Sequence, residues 1–89
     1  MEHIAHQYAM EHIRCNYFTL GWTATDGEVA LRLSQGESEA ELRQRAAGIL
    51  PMGRMPDYAD YLPGLVYLLS DESSMMTGST FRMTAGEYI

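Results

Sequence analysis

Two short runs of strand-forming residues, separated by a long stretch with helical patterns, constrain the fold of this chain most strongly. The runs are "IRCNYFTL", residues 13–20, and "STFRMT", residues 79–84. Apolar residues of the first run fall on both faces, which is typical of a buried parallel strand. Strands joined by a helical crossover form a βαβ unit with parallel strands. The order therefore predicts an α/β fold with two parallel strands.

Four helical segments complete this pattern. The first covers residues 2–11, and the second begins at Asp26 and is broken by Gly36. The third opens on the sequence "SEAE", a capping box with Ser38 as N-cap, and is predicted to bury Leu42, Ala46 and Ile49. The fourth begins near residue 57 or 60 and runs to residue 69. A proline in its first turn would be tolerated, whereas one deeper in the helix would kink it.

Composition excludes several classes of function. The chain has 89 residues, is 46% hydrophobic and carries a net charge of -6, with scattered arginines as its only cations. No basic face is available for a phosphate backbone, so we predict no nucleic-acid partner. No apolar run approaches the roughly 20 residues of a membrane helix, and the N-terminus does not resemble a signal peptide. We therefore expect no membrane partner and a cytoplasmic location.

Candidate metal ligands are sparse. His3 and His6 lie three residues apart near Glu2 and could in principle face one ion from a helix. No third ligand is fixed nearby, and a solvated terminal helix accounts for the same residues. The single cysteine, Cys15, lies inside the first apolar run and is interpreted as a small buried residue. We predict no metal site.

The stretch "LGWTATDGE", which follows the first strand, carries the clearest candidate binding residues. The strand ends at Leu20-Gly21, and two hydroxyls follow, on Thr23 and Thr25. In open α/β sheets, ligands bind outside the carboxyl ends of the strands. The turn is therefore a candidate rim of a ligand site. The alternative is that both hydroxyls only satisfy backbone groups between a strand and a helix.

Several segments, in this order, resemble the C-terminal third of a short-chain dehydrogenase/reductase, a family of NAD(P)-dependent oxidoreductases with a Rossmann fold. They are "IAHQYAMEHIRCN", "LGWTAT", "PMGRM" and "YLLSDESSMMTG". The resemblance implies a partial Rossmann fold, namely the terminal βαβ unit with its crossover helices. Residues 1–89 would be the C-terminal segment of one Rossmann-type domain, with residues 26–50 as a helical substrate lid.

The resemblance also implies roles for the turn. Leu20, Gly21, Thr23 and Thr25 fall where the family holds the nicotinamide carboxamide of NAD or NADP. Trp22 would contact the small-molecule substrate, with packing of the lid as the alternative. The intact parent would transfer a hydride between the cofactor and an alcohol or carbonyl.

The chain departs from the family most clearly by what it lacks. It contains no lysine, so the family's Tyr-x-x-x-Lys pair cannot be present, and no glycines have the Gly-x-x-x-Gly-x-Gly spacing. The tyrosine acts as a general acid–base group and the lysine lowers its pKa. We assign no catalytic residue and expect no activity from the chain alone. Leu20 replaces the family's proline, and His12 replaces a glycine that often needs positive φ.

Two hypotheses of different classes follow. In the first, the chain is a C-terminal fragment of a short-chain dehydrogenase/reductase. In the second, it is a truncated non-enzymatic module that forms a homo-oligomer or pairs with a full-length relative. Two strands need cover on both faces, and their open edges are templates for pairing. In the second hypothesis, the purified chain is expected to self-associate or to be partly disordered.

Overall fold

The computed structural model describes residues 1–87 and has an α/β architecture. The two strands, β1 and β2, pair in parallel and form one two-stranded sheet. This confirms the predicted partial Rossmann fold with a helical crossover. The elements are α1 (Glu2–Tyr8), β1 (Tyr17–Leu20), α2 (Asp26–Ser34), α3 (Glu39–Ile49), α4 (Tyr58–Leu69) and β2 (Thr80–Met83), with short 3-10 turns at Ala9–Glu11 and Asp71–Ser73.

Strand β1 is shorter than the predicted 13–20, because residues 14–16 bind loop groups instead of extending the ladder. The Cys15 N–H donates to Thr77 Oγ1, and its carbonyl accepts from the Gly78 N–H. The Asn16 side chain bridges the Met76 carbonyl and the Ser79 N–H. Side-chain bonds of this kind compete with a regular strand ladder.

The sheet packs against α4 through one face. Phe18 and Phe81 stack with ring centroids 5.4 Å apart, and the Tyr61 ring meets Phe18 edge-on. At Gly64 an added Cβ would lie 2.9 Å from Phe81 Cε1 and 3.1 Å from Met83 Sδ. Only a glycine allows α4 to approach the strands this closely. We call β1, β2 and α4 together the sheet region.

A second hydrophobic cluster lies in the crossover. We call residues 22–55 the lid region, since they contain the predicted lid. Its core consists of Ala24, Leu42, Ala46, Leu50 and Met55, with Trp22 and Val29 packed against it. The α3 residues of this core recur every four positions, so one helix face supplies most of the cluster.

The local signals were mostly correct, with three differences. The Ser38–Glu41 capping box opens α3 as predicted, but Ile49 is exposed rather than buried. The first helix leaves α-helical geometry after Tyr8. Pro63 lies in the second turn of α4, yet the structure keeps one helix to Leu69.

The C-terminal end of the first helical segment has the expected left-handed geometry. His12 follows the 3-10 turn with φ at 60°, a conformation that histidine tolerates better than most side chains other than glycine. None of the helices within residues 1–87 combines the length and the apolar character required to cross a bilayer.

Candidate functional site

The turn Leu20–Thr25 begins at the carboxyl end of β1 and is held against the chain that follows β2. The Gly21 N–H continues the ladder by donating to the Met83 carbonyl at 3.2 Å. An added Cβ at Gly21 would lie 2.9 Å from the Thr84 Cα. Glycine is therefore required here, because only a residue without a side chain lets the two backbones approach so closely. Leu20, by contrast, keeps its side chain half exposed at the strand end.

The Thr23 side chain is buried and points toward α4. Its hydroxyl donates to the Gly21 carbonyl at 2.9 Å and also shares a hydrogen bond with the Tyr61 hydroxyl. Both contacts are internal to the fold. The hydroxyl therefore links the turn to α4. Its bond to the Gly21 carbonyl agrees with the alternative that this hydroxyl satisfies a backbone group.

The Thr25 side chain caps α2. Its Oγ1 accepts a hydrogen bond from the Glu28 N–H at 3.0 Å, and Thr25 stands at the N-cap position. Within residues 1–87 the Thr25 hydroxyl proton has no acceptor, so it could still be donated to a ligand. Thr25 thus combines a structural role with one donor that remains available.

Trp22 is held within the lid region on both the edge and the face of its indole. Its Nε1–H donates to Glu28 Oε1 at 3.0 Å, and the Arg45 guanidinium carbon lies 5.0 Å from the ring centroid. This cation–π contact and the carboxylate fix the ring toward α2 and α3. The indole hydrogen bond, followed by that from Arg32, lowers the pKa of Glu28. These contacts match the lid-packing alternative for Trp22.

Two bidentate ion pairs fix the start of α4. Arg54 pairs with Asp60, and its Nη1 lies 2.8 Å from Asp60 Oδ2; Arg43 pairs with Asp57. Asp60 also accepts from the Asp57 N–H at 2.8 Å. The arginine hydrogen bonds lower the pKa of each carboxyl, with the backbone donor adding to the effect at Asp60. Arg54 therefore pairs with a carboxylate at the start of α4.

An open groove of about 370 Å³ lies between the start of α4 and the residues that follow β2, and none of residues 20–25 lines it. Its walls include Met52, Arg54, Tyr61, Arg82 and Gly86. Tyr61 bonds to the Thr23 hydroxyl, and Glu87 accepts from the Trp22 N–H. No local sequence signal pointed to either residue, because both reach the turn only through the tertiary fold. Glu28 could have been suspected, since a carboxylate in the first turn after a threonine cap is a common arrangement.

The candidate metal ligands are not brought together. Among residues 1–87, no group of three or more His, Cys, Asp or Glu side chains could hold an ion. His3 and His6 lie exposed on α1. Of the predicted rim residues, Leu20, Gly21 and Thr25 lie along the turn after β1, whereas the Thr23 hydroxyl is directed into the fold. The assignment of this rim to a cofactor stays a prediction.

Comparison with known proteins gives the family. A family model described as enoyl-(acyl carrier protein) reductase matches residues 1–87. A short-chain type dehydrogenase/reductase from Mycobacterium marinum is 28% identical, with a TM-score of 0.73, over 96% of this chain and 30% of that one. A short chain dehydrogenase family protein from Francisella tularensis is 26% identical, with a TM-score of 0.82, over 96% and 37%.

A third solved structure contains a cofactor. It is a 3-oxoacyl-[acyl-carrier protein] reductase from Brucella melitensis with bound NAD, 27% identical, with a TM-score of 0.71 over 99% of this chain and 29% of that one. No curated protein matches the chain. The chain thus spans about a third of the length of these solved structures. On this evidence, the chain belongs to the short-chain dehydrogenase/reductase family.

Proposed function

We propose that the chain is the C-terminal portion of an NAD(P)-dependent oxidoreductase that transfers a hydride between the cofactor and an alcohol or carbonyl substrate. One observation carries the proposal: the turn Leu20–Thr25 lies at the carboxyl end of a parallel strand, in a chain that matches the family over residues 1–87. The chain's span of about a third of its relatives supports the portion rather than the whole.

The residues present fit one side of a nicotinamide site. A carboxamide needs a donor and an acceptor at fixed positions, and Thr25 offers a hydroxyl proton that no acceptor within residues 1–87 uses. The half-exposed Leu20 side chain offers an apolar contact to a ring. Gly21 allows the turn to lie close to the strand end. When bound, the nicotinamide would supply the hydride chemistry.

Thr23 would act in this site through the backbone of the turn. Its hydroxyl is committed to Gly21 and Tyr61, so it holds the turn at a set distance from α4. Trp22, held by Glu28 and Arg45, would fix the lid region over the substrate and would contact the substrate only at its rim. Enclosure by a lid excludes water from a reacting centre.

The remaining chemistry would come from residues outside this sequence. The chain has no lysine, so it cannot supply the Tyr-x-x-x-Lys pair that moves the proton to or from the substrate oxygen. The substrate and the choice between NAD and NADP would likewise be decided elsewhere in the parent. The 89-residue chain by itself is expected to have no dehydrogenase activity.

A chimera tests the proposal. In the Brucella reductase, which was solved with bound NAD, the matched C-terminal segment would be replaced by residues 1–87 of this chain. We expect the folded chimera to bind NADH, and Thr25→Val to weaken binding about tenfold, as loss of one hydrogen bond implies. Thr25→Ser is the matched control and should bind as the unaltered chimera does. A folded chimera that fails to bind NADH contradicts the proposal.

The isolated chain provides a second arm of the test. NADH titrated into the 89-residue chain should show no saturable binding, because only one rim of the site is present. Saturable binding would show that the site is already complete in this chain. That outcome would overturn the proposed division of the site between this segment and the rest of a parent.

A second candidate function rests on the exposed apolar surface of the sheet region. Leu62, Val66 and Leu69 of α4 are exposed, as is Tyr17 on the opposite face of the sheet. We propose as the alternative that the chain self-associates, or pairs with a full-length relative, through these faces. Sedimentation of the purified chain tests this: a compact, monodisperse monomer at high concentration would contradict it.

A further inference from the structure

Both ends of the lid region dock on the same short turn. The lid region leaves the sheet at Gly21–Trp22 and returns through Pro51–Met52, and each of these points contacts the residues that follow β2. We call residues 84–87 the C-terminal turn. Since it touches the entrance and the exit of the lid region together, its position constrains both.

Two hydrogen bonds and two close approaches make this connection. The Trp22 N–H donates to Glu87 Oε1 at 3.0 Å, and the Met52 N–H donates to the Ala85 carbonyl at 3.0 Å. Gly86 lies so close to Pro51 that an added Cβ would be 2.8 Å from the proline Cβ. On the entrance side, Gly21 is equally close to the backbone of residue 84.

The C-terminal turn is itself a defined structure. The Glu87 N–H donates to the Thr84 carbonyl at 3.0 Å, and the two residues between have positive φ, 55° at Ala85 and 87° at Gly86. Two successive positive φ values are typical of a tight reversal of the type I′ kind. Alanine adopts positive φ only where its surroundings enforce it. In this conformation the Ala85 carbonyl accepts from the Met52 N–H at the exit of the lid region.

The two ends of the lid region are also joined directly. The Ala24 N–H donates to the Pro56 carbonyl at 2.9 Å, and the internal core of the lid region packs the helices on each other. These internal contacts stabilise the folded lid region without help from the C-terminal turn. Release of the C-terminal turn would therefore change the position of the lid region but would leave it folded.

We propose that the C-terminal turn is a clamp that sets the position of the lid region, with the Glu87 carboxylate as its positioning residue on the backbone of Trp22. The clamp rests on the proposed function only for the statement that the lid covers a substrate. In a working parent it would couple the turn after β2 to lid opening, because the lid cannot pivot at either end without breaking a contact with residues 84–87.

Hydrogen exchange on the full 89-residue chain tests the clamp. Glu87→Ala removes the acceptor, and we expect exchange of the Trp22 amide to speed up about tenfold, as loss of a hydrogen bond to a charged group implies. Exchange at Met52 and in α2 and α3 should rise as well, while that of α4 and the β1–β2 ladder stays within twofold of wild type. Glu87→Gln keeps an acceptor oxygen and is the matched control.

Fluorescence supplies an independent readout, since Trp22 is the only tryptophan. Glu87→Ala should increase quenching of Trp22 by acrylamide, and Glu87→Gln should not. Gly86→Ala, which forces a Cβ against Pro51, should reproduce the local pattern of Glu87→Ala from the other end of the lid region. If this variant unfolds, the Glu87 pair decides the test.

Two results would overturn the clamp. Unchanged exchange in Glu87→Ala means that the carboxylate positions nothing, and a uniform rise across the lid and sheet regions means that it only supports general stability. None of these readouts requires a cofactor. The clamp can therefore fail while the chimera binds NADH, and it can stand if the chimera does not.

Discussion

The lid region and the sheet region bury their apolar side chains in different ways. In the lid region, Leu42 and Ala46 are fully buried and Met55 nearly so, although this region is only a crossover between two strands. Exposed large apolar side chains are more numerous in the sheet region, where they include Leu62, Val66 and Leu69, than in the lid region. The lid region therefore has more buried apolar side chains than the sheet region.

The difference follows from where the packing partners lie in the sequence. Residues of α3 and the adjoining loop close most of the lid core from within about fifteen positions of one another. Within residues 1–87 the sheet has no strand beyond β1 and β2 and packs against α4 through one face, whereas parallel sheets are ordinarily covered on both faces. A local core is complete within a short chain, but a parallel sheet depends on distant segments.

The largest effect is expected from the lid core. Leu42→Ala removes a fully buried side chain and should lower the free energy of unfolding by roughly 2–5 kcal/mol, the usual cost of a core cavity. Denaturant unfolding followed by Trp22 fluorescence measures it. Leu62→Ala, on the exposed face of α4, is the control and, at concentrations where the chain is monomeric, should change the value by less than about 0.5 kcal/mol. Equal costs at the two sites would remove the distinction between the regions.

A smaller effect is expected where α4 meets the strands. Gly64→Ala places a methyl group 2.9 Å from Phe81 and should cost about 1–3 kcal/mol through overpacking. The matched control is Gly48→Ala in α3, where an added Cβ meets nothing within 4 Å. That variant should stabilise the chain by roughly 0.5–1 kcal/mol through helix propensity. A neutral Gly64→Ala would mean that α4 is not tightly seated on the sheet.

The connection between the two regions can be probed at Tyr61. Tyr61→Phe removes the hydroxyl that bonds Thr23 Oγ1 and should cost about 1 kcal/mol, since the threonine keeps its bond to the Gly21 carbonyl. Thr23→Val should cost more, because it also leaves that carbonyl without its partner. A double-mutant cycle gives the coupling, and additive effects would show that the two hydroxyls do not interact.

The smallest expected effect is a loss of stability of the lid region at acidic pH. Hydrogen bonds from Trp22 and Arg32 lower the pKa of Glu28, and that from Arg45 lowers the pKa of Glu37. A carboxyl with a lowered pKa stabilises the fold at neutral pH and loses that contribution as pH falls below about 4, toward the folded-state value. Exchange in α2 and α3 should therefore rise in this range before exchange in the β1–β2 ladder does. Glu37→Gln should flatten part of the pH dependence.

Much of the fold could be predicted from local patterns. The capping box at Ser38, the αL residue His12 and the parallel pair of strands all express short-range chemistry or a simple order of elements. The predicted strand over residues 13–20 was too long, because Cys15 and Asn16 use their bonding groups on residues some sixty positions away. Periodicity does not carry information about such partners.

The candidate site also has a part that local sequence indicated and a part that only the tertiary structure revealed. The glycine break after β1 and the two threonine hydroxyls were visible in "LGWTATDGE", and this turn was one of several segments that carried the family resemblance. The sequence treated Thr23 and Thr25 alike, whereas the structure directs the first hydroxyl into the fold and uses the second as a cap. Their difference depends on Tyr61, which the crossover brings beside Thr23.

By itself, the sequence determined the element order, the parallel pairing, the family and the absence of the family's catalytic lysine, because each depends on residue type and spacing along the chain. Only the tertiary structure decided that Trp22 packs against the lid core and that the Glu87 carboxylate accepts from the Trp22 N–H. It also decided that more of the exposed large apolar side chains lie on the sheet region than on the lid region. Those outcomes depend on which distant groups meet, and close packing selects one such arrangement from many that the same local patterns would allow.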